Sequence, residues 1–254
     1  MSLVPFNHTI FHIATHVPDP PNRDEDEFPH PLYHRPVAVS LLRITREKDS
    51  LDPIVQVMTK GITDIEKDEG TLVEQFFQKM PGGSGFVVSY MGRPFALPVM
   101  VYAALRHGVD ASDYLKDERA FTARYSHNHI DLADFLSGYG AVPQNATLSD
   151  YARIIGFAKR VWVDVPKAFE AGDIKLIKER LEIDVMIIAA IYIRLLFSQG
   201  RLEPEAFELV AKKVLHAYFD RSALAKNYLK KSNVKAYLKV RKRVGKDADK
   251  KKSK

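Results

Sequence analysis

The sequence predicts an α/β fold, a mixed sheet flanked by helices, from three observations. The N-terminal part carries short strand-like runs separated by turn residues. The middle alternates strand and helix patterns. A late helix is so densely apolar that it must be enclosed on several sides. No internal repeat is visible. With 254 residues, 46% hydrophobic and 28% charged, the chain can bury a sizeable core.

The first strand is expected over Thr9 to Thr15, with Phe11 and Ile13 on one face and His12 and Ala14 on the other. Pro18 to Pro36, rich in proline and carrying the acidic run Asp24 to Glu27, reads as a loop. Val37 to Ile44 and Ile54 to Met58 read as hairpin partners. Thr71 to Met80 is expected to be a helix starting near Asp68 or Thr71. Pro81 to Gly85 is a turn, since no Gly-Lys-Ser/Thr follows to make a phosphate loop. Phe86 to Tyr90 reads as a buried strand.

Further on, Phe95 to His107 has a helical pattern, with Pro98 in its first turn and Gly108 as its stop. Asp110 to Asn128 is ambiguous and reads as a loop. Ile130 to Gly138 is expected to be a short helix with Asp131 in its first turn. Leu148 to Ile155 is another helix, capped by Thr147 or Ser149. The long buried helix spans Asp173 to Gln199 and ends at Gly200. Pro204 opens the next, and Ser222 to Val244 is expected to continue as one basic helix.

Charge is unevenly spread. From Lys212 to Lys254 there are sixteen Lys or Arg against three Asp, a net of +13, so the preceding residues carry −7. An acidic body with a basic C-terminal segment points to a polyanionic partner, nucleic acid before an acidic protein or a membrane surface. In that segment Lys226, Lys230, Lys231, Lys235, Lys239, Arg241, Lys242 and Arg243 alternate with Tyr228, Leu229, Val234, Tyr237, Leu238 and Val240. Such a helix lies along a phosphate backbone, or docks by its apolar stripe and shows its lysines to water.

The lack of cysteine excludes disulfides, thiolate metal sites and a cysteine nucleophile. No Gly-x-Ser-x-Gly elbow accompanies Ser84 or Ser89. No signal peptide or membrane span is read from the sequence, so the expected location is intracellular, cytoplasmic or nucleoid-associated.

Four segments, in order, carry a family resemblance. They are Phe11-His-Ile-Ala-Thr-His-Val-Pro-Asp19, Val88-Ser-Tyr-Met-Gly-Arg-Pro-Phe-Ala-Leu-Pro98, Arg124-Tyr-Ser-His-Asn-His-Ile-Asp-Leu-Ala-Asp134, and Ile177-Lys-Glu-Arg-Leu-Glu-Ile-Asp-Val185 with the ending Gln199-Gly-Arg-Leu202. Together they resemble the predicted 3'–5' exonucleases related to the exonuclease domain of family B DNA polymerases, within the DnaQ and ribonuclease H-like superfamily. The resemblance implies a three-layer ribonuclease H-like fold over residues 1–205, followed by a basic helical extension over 206–244 and a disordered basic tail over 245–254.

It also implies what is missing. Active members hold two Mg²⁺ or Mn²⁺ ions with carboxylates, and the ions position the attacking water and stabilise the leaving oxygen. The family's opening Asp and Glu fall here on His12 and Ala14. Its asparagine falls on Met91, its second-motif aspartate on Ala96, and its water-orienting tyrosine on Arg180. Asp184 is retained, within i,i+4 reach of Arg180. The expectation is a catalytically inactive exonuclease-like protein with no metal cofactor. It would bind nucleic acid, single-stranded by preference, within a replication, repair or defence assembly. The strand would contact the basic segment together with Arg180 and Tyr90, and also Phe95 and Tyr125.

Two alternatives stand beside it: a protein-interaction scaffold without nucleic-acid binding, and a residual exonuclease that uses Mg²⁺ or Mn²⁺ through Asp184 and acids from elsewhere. A transition-metal site built from His12, His16, His127 and His129 with Asp131 or Asp184 has no recognised spacing. His129 and Asp131 read instead as supports of the fold around the cleft.

Overall fold

The computed structural model describes residues 7–18, 28–46, 52–81, 85–116, 128–142 and 146–241. Its sheet is built from β1 (Asn7–His16), β2 (Arg35–Thr45), β3 (Ile54–Gly61), β4 (Phe86–Ser89) and β5 (His129–Asp131). The strand order is β3-β2-β1-β4-β5. The β1–β2 and β2–β3 pairs are antiparallel, as expected for the hairpin, and β1–β4 and β4–β5 are parallel.

Side chains two apart share a face of a strand, so neighbouring residues divide between two cores. Ile10, Leu42 and Val88 join one apolar cluster, while Phe11, Leu41 and Val87 join the other. The second is closed by α1 (Ile65–Lys79) and α2 (Leu97–His107) through residues such as Phe76 and Met100. The first is closed by the long helix α7 (Ile174–Ser198) and by α8 (Pro204–Phe219). The result is the three-layer ribonuclease H-like arrangement. Shorter helices are α3 (Ser112–Leu115), α4 (Leu132–Leu136), α5 (Leu148–Ile154), α6 (Val165–Glu170), α9 (Ala223–Lys231) and α10 (Val234–Leu238).

Several elements differ from the sequence expectation, among them the short helix α3 inside the stretch Asp110 to Asn128 that reads as a loop. Helix α1 starts at Ile65, because the Asp64 side chain accepts the Lys67 N–H and supplies the cap. The start of the helix reads as polar in sequence, with Glu66, Lys67, Asp68 and Glu69 in a row, yet Glu69 points inward. That buried carboxylate is satisfied by Arg35 (Nη2 2.5 Å), Arg106 (2.9 Å) and His107 (2.8 Å). The segment before α2 is a π-helical turn, Gly92–Ala96, entered through Met91 at φ 57°. Ile130 to Gly138 divides into β5 and α4 at Asp131, which caps the helix by accepting the Ala133 N–H.

The basic C-terminal segment is two helices, α9 and α10, and the break at Ser232 and Asn233 has a cause. The Ser232 hydroxyl accepts the Ala158 N–H and donates to the Tyr228 carbonyl, while the Asn233 N–H donates to Gly156. These long-range bonds pin the chain to the loop after α5, and the Asn233 side chain caps α10. Tyr228, Leu229 and Tyr237 are buried in the first cluster, and Lys226, Lys230, Lys231, Lys235, Lys239 and Arg241 are not buried with them. The apolar stripe therefore docks on the body and the charges face outward. Lys242, Arg243 and residues 245–254 lie outside the described residues.

Candidate functional site

The site sits where β1, the end of β4 and α7 approach one another. Asp184 is on the sheet-facing side of α7 and is 0% exposed. A buried carboxylate needs a partner, and Asp184 takes two guanidinium groups. Arg160 binds both of its oxygens, Nε to Oδ1 at 2.5 Å and Nη2 to Oδ2 at 2.7 Å. Arg180 comes from one turn earlier on the helix, with Nε 2.9 Å from Oδ2 as an ion pair rather than a well-aligned hydrogen bond. Burial pushes the Asp184 carboxyl above the usual carboxylate range, and the Arg160 guanidinium opposes that shift.

Sequence reasoning placed Arg180 beside Asp184 and missed Arg160, the stronger partner. Arg160 lies in the irregular stretch between α5 and α6, 24 residues from Asp184. No periodicity links the two. In sequence Arg160 is simply the second of a basic pair, Lys159-Arg160, which reads as surface charge.

Around Arg160 lies a pocket of about 310 Å³, lined by His12, Tyr90, Met91, Ala146, Thr147, Leu148 and Arg160. Three residues marked from the sequence, His12, Met91 and Tyr90, thus meet there. The Tyr90 hydroxyl donates to the Ala146 carbonyl. Among the described residues His12 Nδ1 is buried without a hydrogen-bond partner. Its imidazole is held neutral, with the pKa lowered to about 3 by burial and then by the Arg160 charge.

The other marked residues are placed elsewhere. Ala14 and Ala96 are buried in the second apolar cluster, where a carboxylate would have no partner. Met91 occupies the left-handed region because Asp131 fixes its backbone. The Asp131 oxygens accept the Met91 (3.0 Å), Arg93 (2.9 Å) and Ala133 (3.0 Å) N–H groups. Gly92 must follow, since a Cβ there would lie 2.2 Å from Ser89 Oγ. His129 Nε2 is 2.9 Å from Ser89 Oγ in the interior. His16 is buried against Phe169, and Phe95 packs edge-on against His34. His127, Tyr125, Ser84 and Asp24 to Glu27 lie outside the described residues.

Among the described residues no three His, Asp or Glu side chains form a group able to hold a metal ion. The donors also do not fit the two hard cations that the resemblance implies. Asp184 already carries two guanidinium groups, His12 is a nitrogen donor next to a positive charge, and Ala14 and Ala96 supply no oxygen. Glu182 is no substitute, because it bonds Arg221 through Oε1 at 2.6 Å and 3.0 Å. Among the described residues no helix is long and apolar enough to cross a membrane.

Comparison with curated proteins finds no match. Among solved structures the chain is similar to the family B DNA polymerase of the hyperthermophilic archaeon Pyrobaculum calidifontis. The two share 17% identity, with 82% of this chain and 26% of that chain covered and a TM-score of 0.48. It is also similar to an apo exonuclease I, at 12% identity over 85% of this chain and 45% of that one with a TM-score of 0.44. A structure of E. coli exonuclease I in complex with a 5cy-dT13 oligonucleotide shares 11% identity, 84% and 43% coverage and a TM-score of 0.42. The chain thus spans less than half the length of each. The family profile described as a predicted 3'–5' exonuclease related to the exonuclease domain of PolB matches residues 26–239, and the chain belongs to that family.

Proposed function

We propose that this protein is a catalytically inactive member of its exonuclease family that binds single-stranded nucleic acid within a replication, repair or defence assembly. The observation that carries the reading is Asp184: the one retained carboxylate is clamped by Arg160 and flanked by Arg180, so cations stand where the family's metals would need anions. A guanidinium is always charged, and a divalent ion would have to displace it against that charge.

Binding is supported by the outer surface of α9 and α10. Lys226, Lys230, Lys231, Lys235, Lys239 and Arg241 line it, and Lys242 and Arg243 continue the run in sequence. In this reading residues 1–205 form the exonuclease-like unit and 206–244 supply the basic helical surface. Arg180 and Tyr90 mark the cleft that a strand end would approach.

The test uses the full chain with a labelled single-stranded oligonucleotide. The expected result is no degradation with Mg²⁺ or Mn²⁺, and binding that weakens with salt through release of several counterions. Degradation that requires manganese and disappears in Asp184→Ala would establish the residual exonuclease instead. An absence of both binding and degradation would leave a protein-interaction module.

A further inference from the structure

We propose that the pocket between His12, Tyr90, Met91 and Arg160 is an anion site for a phosphate monoester, with the outer edge of Arg160 as its principal donor. The site is separate from the lysines of α9 and α10, and it does not depend on strand binding by them.

A guanidinium has five N–H groups. Arg160 commits Nε and one N–H of Nη2 to Asp184, and Nη1 makes no hydrogen bond among the described residues. The side chain is 28% exposed and lines the pocket. Its inner edge is thus fixed by a buried carboxylate while its outer edge faces open space. A planar donor held this way loses little freedom when an oxyanion arrives, which favours phosphate recognition.

The rest of the lining is consistent with that ligand. The other polar atoms there are already occupied: the Tyr90 hydroxyl by Ala146, and the Thr147 hydroxyl by Asp150 at 2.7 Å. His12 is the remaining polar side chain of the lining, its Nδ1 buried and without a partner among the described residues. Of the two guanidinium groups on Asp184, Arg160 lines the pocket and brings its charge to it. Two acids, Asp131 and Asp150, also act on Tyr90; Asp131 is occupied by three backbone N–H groups, and Asp150 by the Thr147 hydroxyl and N–H at the cap of α5. Tyr90, Met91 and Leu148 give apolar walls, and about 310 Å³ is at the lower end of small-molecule sites, enough for a phosphate and the sugar that bears it.

The chain has one tryptophan, Trp162, two residues from Arg160 and 79% exposed, which provides a reporter. Its fluorescence is titrated with inorganic phosphate, a nucleoside 3'-monophosphate, and single-stranded oligonucleotides ending in 3'-phosphate or 3'-hydroxyl, all at constant ionic strength. A saturable change with phosphate or the mononucleotide is expected. Arg160→Lys, which keeps the charge beside Asp184 but removes the planar fork, should weaken it by about tenfold or more. A thermal melt of the variant checks that it remains folded, and His12→Ala provides a second variant at the same pocket. Tighter binding of the 3'-phosphate oligonucleotide assigns the site to strand ends, and equal oligonucleotides with a responsive mononucleotide assign it to free nucleotides. No saturable change with any of the phosphate probes overturns the proposal, as does undiminished binding in folded Arg160→Lys. Salt-sensitive oligonucleotide binding that persists in that variant leaves the α9–α10 reading standing separately.

Discussion

Arg160 grips Asp184 through two parallel contacts, Nε to Oδ1 and Nη2 to Oδ2, and so ties the loop between α5 and α6 to the middle of the most buried helix. Removing one partner strands the other. Arg160→Ala should destabilise the fold by about 3 kcal/mol, because an uncompensated charge in the interior is costly. Arg180 limits the loss by remaining close. Adding Asp184→Asn to the same chain should recover most of it. Urea denaturation of the two single variants and the double variant measures the coupling, and additive losses would count against the pair.

A second buried carboxylate allows the same comparison on the opposite side of the sheet. Glu69 has a fully buried side chain held by Arg35, Arg106 and His107, whereas Glu66 contacts Arg35 from an exposed position. Glu69→Gln should cost about 3 kcal/mol, and Glu66→Gln less than about 0.5 kcal/mol. Thermal melts of both variants test the difference.

Acid sensitivity should arise from two buried imidazoles, His8 and His12, of which His8 is the more readily replaced. The His8 ring is buried between Phe86 and Tyr192, with Nδ1 2.8 Å from the Tyr192 hydroxyl, and its pKa is lowered to about 4 by burial and then by Arg201. In the unfolded chain it titrates near the ordinary value of 6.5. The unfolded state therefore binds the proton first. The stability held by neutral His8 is complete above that value and is lost as pH falls from 6.5 toward 4, at up to about 1.4 kcal/mol per pH unit. His8→Gln should reduce the slope of this part of the profile by about half, the remainder being carried by His12, as followed by urea midpoints at several pH values.

The outward-facing lysines of α9 and α10 should govern salt dependence without governing stability. Replacing Lys226, Lys230, Lys235 and Lys239 with Gln should leave the melting temperature nearly unchanged, since these side chains lie outside the core. It should reduce the slope of log affinity against log salt by about 0.7 for each phosphate of a single strand that is no longer neutralised. Fluorescence anisotropy at several salt concentrations measures this, and an unchanged slope would remove these lysines from the interface.

Much of the architecture was legible from local pattern. Phe11 and Ile13, two apart, share the second cluster as strand residues must, and the apolar density from Val185 to Ile193 required a helix enclosed on several sides. Of the two cap candidates before α5, Thr147 is the one the structure uses, in a capping box with Asp150. Where local pattern misled, a long-range contact was the cause. Ser232 and Asn233 look compatible with a continuing basic helix until the loop at Gly156 and Ala158 competes for their hydrogen bonds. Glu69 looks like surface charge until three cationic side chains from distant segments converge on it.

What the sequence alone determined was the fold class and the family, and the resemblance implied that His12, Ala14 and Ala96 stand at carboxylate positions beside Asp184. These depend on residue identity in ordered motifs and on periodicities that each strand or helix carries within itself. Tertiary structure alone decided what became of Asp184 and of the basic segment. Arg160 reaches the carboxylate from a loop with no periodic relation to α7, and the stripe through Tyr228 and Tyr237 has a side to bury only once the body exists to receive it. An ion pair in the interior is a property of where chain segments meet, and that meeting is fixed by packing rather than by either residue's neighbours in sequence.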